Sequence, residues 1–196
     1  SGGAHDGKLL AGLKSGAIPQ VDLDRCAHRV VELTLAGNAT KASGEIDFDA
    51  HEAMAQRAAA EGAVLLKNYR ALLPFNPKKK LAVIGGFAEK PRFQGAGSSQ
   101  VNAAKVDTPL DRIRAYVEER GGRVTYAQGF DPDLATADPA LIAEAVEVAA
   151  QADIVLVLGG LPALFESEGF DRTHLDMPDQ INQLISAVAA ANTRTA

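Results

Sequence analysis

The chain predicts an α/β fold, a three-layer α/β/α sandwich around a mostly parallel sheet, and three observations carry that expectation. Short apolar runs, "LAVIGG" at residues 81–86 and "DIVLVLGG" at 153–160, have the length and composition of strands buried on both faces. Helical patterns alternate with these strands, which is the order that covers a parallel sheet from both sides. The 196 residues are 46% hydrophobic, enough to fill an ordinary core, although only 5% are aromatic and small aliphatic side chains must do the filling.

The elements follow in order. "DGKLLAGLKSGAI" has helical spacing at Leu9, Leu10 and Leu13 and stops at Gly16. "PQVDLDRCAHRVVELTLAGN" is a second helix, with Asp22 as its N-cap and Gly37-Asn38 at its end. Two such helices enclose no core and must dock on something. "KASGEIDF" reads as a linker, and "DAHEAMAQRAAAEG" as a helix before "AVLLKN". After the strand at 81–86 comes "TPLDRIRAYVEERGG", a helix with Thr108 as N-cap, Pro109 in the first turn and Gly121 at its end. "RVTYAQG" is the next strand, and "DPALIAEAVEVAAQA" a helix capped by Asp138. The strand at 153–160 and the helix "MPDQINQLISAVAAAN" complete the series. A further strand is expected where "ANTRTA" stands, so the sheet reads as incomplete there.

Composition narrows the function. A net charge of −5 and a pI near 5.4 argue against a nucleic-acid backbone as partner. The one basic run, Lys78-Lys79-Lys80, reads as a solvated turn. The single Cys26 rules out an intrachain disulfide and reads as a buried thiol on an amphipathic helix. No apolar run is long enough to span a membrane. His5, His28, His51 and His174 are scattered without metal-ligand spacing, and no cofactor is expected. The opening "SGGAHDGK" has no starting Met and reads as the interior of a longer protein.

Ligands of parallel sheets gather at the carboxyl ends of the strands, and two unusual segments fall there. "GGFAEKPRFQGAGSSQ" lacks the glycine spacing of a dinucleotide fingerprint and the lysine of a phosphate loop. It is either a loop suited to backbone approach by a ligand or another domain, or a surface loop with turn glycines. "FESEGFDR", residues 165–172, sets Glu166 and Glu168 one residue apart. In an extended segment they point the same way, which raises the pKa of one toward general-acid work at neutral pH. The other reading is a solvated acidic turn that caps the next helix.

"EGAVLLKN", "LAVIGGFA", "GAGSSQV", "DTPLDRI", "VTYAQG", "ESEGFDR" and "LDMPDQINQLISAV" stand in the order and spacing of glycoside hydrolase family 3, and the chain resembles the second domain of its β-glucosidases. The resemblance implies that residues 1–45 are the last helices of a (β/α) barrel domain with its linker, and 46–196 most of an α/β sandwich. It implies retaining hydrolysis of terminal β-D-glucosyl residues, with β-xylosidase activity as the nearest sibling. Glu168, before Gly169 and Phe170, matches the general acid/base, and Glu166 is the second choice. Gly95, Gly97 and Ser98 match a loop that approaches the site, while Asp171 and Arg172 match a loop-anchoring pair. The nucleophilic Asp would belong to a barrel domain preceding Ser1, which becomes the chain's intramolecular partner. A β-glucoside or oligosaccharide would be the substrate, and the chain alone would be inactive and prone to self-association. A non-catalytic carbohydrate-binding or interaction domain is the alternative from another class.

Overall fold

The computed structural model describes residues 5–40 and 44–196. The expected linker at 41–48 therefore lies partly outside the described residues. Two compact units are present, Ser1–Val64 and Leu65–Ala196. The expectation placed the division near residue 45, which would have grouped the third helix with the second unit.

The first unit holds α1 (Asp6–Ser15), α2 (Gln20–Ala39) and α3 (Phe48–Gly62). Gly16 ends α1 in the left-handed conformation at φ 76°, as a glycine C-cap does. Pro19 starts α2, so Asp22 lies within the first turn, where it pairs with Arg25 at 2.6 Å instead of capping. The helix also runs past Gly37-Asn38 to Ala39, and Thr40 closes it through the Ala36 carbonyl. Asp47 caps α3 by accepting from the Ala50 N–H. No residue of these three helices is buried. Cys26, expected inside, is exposed because nothing in the unit packs over that side of α2.

The second unit is a sandwich. Its strands are β1 (Lys80–Ile84), β2 (Arg123–Ala127) and β3 (Ile154–Val157), all parallel in the order β2-β1-β3. The helices are the short α4 (Gly86–Glu89), then α5 (Pro109–Glu118), α6 (Pro139–Ala150) and α7 (Asp179–Ala191). Alternation along β1 sorts the core into two layers. Leu81 and Val83 pack with Leu110 and Val117 of α5, whereas Ala82 and Ile84 pack with Ala145 and Ala149 of α6 and Ile181, Leu184 and Val188 of α7. Burial alternates along β2, as its mixed sequence Arg-Val-Thr-Tyr-Ala allows. It is an outer strand of this sheet, paired on one side only, and its outward side chains meet water.

Caps behave as read from the sequence in this unit. Thr108 accepts from the Asp111 N–H, Asp138 accepts from the Ala140 N–H, and Pro follows each cap. After α7, residues 194–196 turn back beside β3, where Thr195 forms a parallel bridge with Val155 and the Ala196 carbonyl accepts from the Val157 N–H at 2.8 Å. Asn192 sets this return by donating to the Ala149 and Ala152 carbonyls at the end of α6. Where the sequence suggests a further strand, residues 194–196 thus make an isolated bridge to β3.

Strand order fixes where a site can form. From β1 the chain crosses to β2 on one side, and from β2 it crosses back to β3 on the other. The connections leaving β1 and β3 therefore diverge to opposite faces, opening a crevice at the carboxyl ends of these two neighbours.

Candidate active site

Two loops border that crevice, one following β1 and α4 and one following β3. The glycines nearest the strands serve packing. A Cβ on Gly85 (φ 127°) would lie 2.2 Å from the Leu158 carbonyl oxygen, and one on Gly160 would lie 3.2 Å from the Phe87 ring. Phe87 in turn meets Phe130 edge-to-face with centroids 5.2 Å apart. After Gly85, "GFAE" forms the single-turn α4 within what the sequence suggests is a loop.

Farther out, Gln94 clips its own loop. Its amide donates to the Val101 carbonyl at 3.1 Å, and its oxygen accepts from the Val101 N–H at 2.7 Å. Between these points lies "GAGSS", with Gly97 at φ 81° and one 3₁₀ turn over Gly97–Ser99.

Across the crevice, "FESEGFDR" is not an extended strand. Ser167 and Phe170 pair across a tight turn, which puts Glu168 and Gly169 at its tip. The expectation that Glu166 and Glu168 share a face, and that their repulsion raises a pKa, is therefore corrected. The turn separates the two carboxylates, and each takes its own partner.

Glu168 Oε2 accepts the Ser98 N–H at 3.0 Å and also the Ser98 hydroxyl. Those two donors, the hydroxyl first and the backbone second, hold its pKa below the ordinary carboxylate value. Gly97 makes the approach feasible, since a Cβ there would stand 3.1 Å from Glu168 Oε2 and 3.3 Å from Glu168 Cβ. Glu166 instead meets Arg92, whose Nη1 donates to Glu166 Oε2 at 2.8 Å and to the Leu161 carbonyl at 2.9 Å. Arg92 Nη2 donates to the Glu166 carbonyl at 3.2 Å.

Of the residues singled out from sequence, Gly97, Ser98 and Glu168 come together. Gly95 lies within the same loop, where a Cβ would meet Ser99 Oγ at 2.6 Å. Arg172 donates to the Asp176 carbonyl at 2.9 Å and so holds the stretch leading to α7. Asp171 is exposed, and no ion pair joins it to Arg172. Arg92 and Gln94 were not singled out. The legible signal for Arg92 was a cation in the loop after one strand facing an acidic octapeptide in the loop after another. Among the described residues, no group of three or more His, Cys, Asp or Glu side chains could hold a metal ion.

The second unit is thus a doubly wound sandwich that presents carboxylates on loops at its switch point. The chain belongs to glycoside hydrolase family 3: residues 63–196 match the glycosyl hydrolase family 3 C-terminal domain. An exo-α-(1→6)-L-arabinopyranosidase of Bifidobacterium longum is 43% identical over 95% of this chain and 26% of its own length. Thermostable β-glucosidase B of Acetivibrio thermocellus is 39% identical over 96% of this chain and 25% of its own. The crystal structure of a family 3 β-glucosidase from Bifidobacterium adolescentis superposes with a TM-score of 0.78 at 42% identity, covering 97% of this chain and 28% of that one. This chain thus spans about a quarter of the length of the curated relatives.

Proposed function

We infer that this chain supplies the general acid/base, Glu168, of a retaining glycoside hydrolase whose nucleophilic Asp stands on a barrel domain outside these 196 residues. The observation that carries the reading is the contact between Ser98 and Glu168, which ties a carboxylate of the loop after β3 to the loop after β1. The share of the relatives that the chain covers supports a second domain as the source of the nucleophile.

The chemistry divides into two displacements. In the first, the Asp carboxylate bonds to the anomeric carbon while the glycosidic C–O bond breaks and Glu168 gives its proton to the departing oxygen. In the second, Glu168 takes a proton from water, whose oxygen attacks the anomeric carbon and releases the Asp. The Ser98 donors favour the ionised Glu168, the form that the second displacement requires. The first requires the protonated form. An anionic Asp about 5 to 5.5 Å away raises the pKa of Glu168 against the pull of Ser98. The chain alone has the base without that counterweight, and it hydrolyses no glycoside.

Terminal β-D-glucosyl residues are the substrate favoured by β-glucosidase B and by the B. adolescentis structure. The arabinopyranosidase at 43% identity favours a second reading, a terminal α-L-arabinopyranosyl residue, within the same mechanism. Assaying the full-length hydrolase on aryl β-D-glucopyranoside, α-L-arabinopyranoside and β-D-xylopyranoside separates the sugars. In each case Glu168→Gln should abolish turnover of the preferred substrate. Undiminished turnover by that variant would end the assignment.

A further inference from the structure

The same two loops are joined twice, and only one of the joints involves the proposed acid/base. The second is Arg92. Its guanidinium reaches from the loop after β1 to three acceptors on the loop after β3: the Leu161 carbonyl, the Glu166 carboxylate and the Glu166 carbonyl. These acceptors bracket the segment that leads into the turn at Ser167 and Phe170, and Glu168 stands two residues beyond the last of them. The Arg92 side chain is 22% exposed, against 53% for Glu166, so the cation is the more enclosed partner.

One attachment would leave the turn free to pivot about it. Two attachments, Arg92 to Glu166 and Ser98 to Glu168, fix both the height and the rotation of the turn. The planar fork of an arginine suits this task, because it serves a carboxylate and backbone carbonyls together. A lysine ammonium cannot present the same fork. Proton transfer to a leaving oxygen tolerates little misplacement, so the joint that orients the turn acts on the chemical step.

Resting on the assignment of Glu168 above, we propose that Arg92 is a positioning residue for the general acid/base, acting through Glu166, whose carboxylate serves this ion pair and not proton transfer. This role requires no contact of Arg92 with sugar or leaving group. Its removal affects reactions in proportion to their need for a well-placed proton.

The test compares Arg92→Met, Arg92→Lys, Glu168→Ala and the double variant Arg92→Met/Glu168→Ala in the full-length hydrolase. Two aryl glycosides of one sugar serve as probes, one with a dinitrophenyl leaving group that needs no proton and one with a phenyl group that does. Arg92→Met is expected to lower kcat/KM, which reports the glycosylation step, roughly 10- to 100-fold on the phenyl glycoside and by a much smaller factor on the dinitrophenyl glycoside. Arg92→Lys should lose less on the phenyl substrate, and the double variant should be no slower than Glu168→Ala alone. Equal losses of kcat/KM on both substrates, or losses that multiply in the double variant, would overturn the role of Arg92 while leaving Glu168 standing. A Glu168→Ala variant whose kcat/KM shows no added leaving-group dependence would defeat the assignment of Glu168 itself, a different and recognisable result. Should Arg92→Met not fold, Arg92→Lys decides alone: wild-type rates on the phenyl glycoside would refute the proposal.

Discussion

Ser98 and Glu168 are 70 residues apart in the chain, yet the Ser98 N–H lies 3.0 Å from Glu168 Oε2 and its hydroxyl donates to the same oxygen. A carboxylate that accepts two such donors is stabilised as an anion. Ser98→Ala removes the larger of the two contributions, so the pKa of Glu168 should rise toward the ordinary glutamate value. A carbon-detected NMR titration of the Glu168 carboxyl in wild type and variant measures this directly. In the full-length hydrolase the alkaline limb of the pH–rate profile, where the acid loses its proton, should move to higher pH in the variant.

Gly97 gives that contact its room. With φ at 81° and a would-be Cβ 3.1 Å from Glu168 Oε2, Gly97→Ala adds backbone strain of about 1–2 kcal/mol and pushes against the carboxylate. Activity should fall more steeply than thermal stability. Comparing kcat with the unfolding midpoint separates the two, and an unchanged kcat would count against the placement of the loop.

Glycines elsewhere should rank by what surrounds them. Gly85→Ala would drive a Cβ to 2.2 Å from the Leu158 oxygen where β1 and β3 meet, and should cost at least about 3 kcal/mol. Gly121 also has positive φ, at 81°, but open space around it, so Gly121→Ala should cost only about 1 kcal/mol. Thermal denaturation of both variants gives the order.

Apolar surface in the first unit has a consequence for the isolated chain. Val30, Leu33 and Leu35 on α2 are exposed, and Leu66 at the start of the second unit is 92% exposed. Uncovered side chains of this kind drive association. Sedimentation of the 196-residue chain should show mass rising with concentration, and Leu33→Glu with Leu35→Glu should reduce it. A monodisperse monomer would contradict this.

Much of the fold was legible because its signals are local. Thr108-Pro109 and Asp138-Pro139 announce helices through a side-chain oxygen and a ring, and both caps form as read. The runs that became β1 and β3 have only one way to bury both faces. Asp22 was misread because Pro19 already sets the start of α2, three residues earlier. Cys26 was misplaced because amphipathic spacing shows that a face is apolar without saying what covers it. In the site, Glu168 and Ser98 were legible as residues, but their contact was not. Neither was the turn that divides Glu166 from Glu168, which depends on pairing between Ser167 and Phe170. Arg92 escaped notice because a lone arginine in a loop acquires meaning only when another loop is brought against it.

The central claim, that Glu168 is the proton donor and acceptor, is tested most directly by adding azide to Glu168→Ala of the full-length hydrolase acting on a dinitrophenyl glycoside. Azide needs no general base, so it should restore turnover and release the glycosyl azide with the anomeric configuration of the substrate. Turnover that azide leaves unchanged, with sugar as the sole product at the wild-type rate, would show that the proton is handled elsewhere.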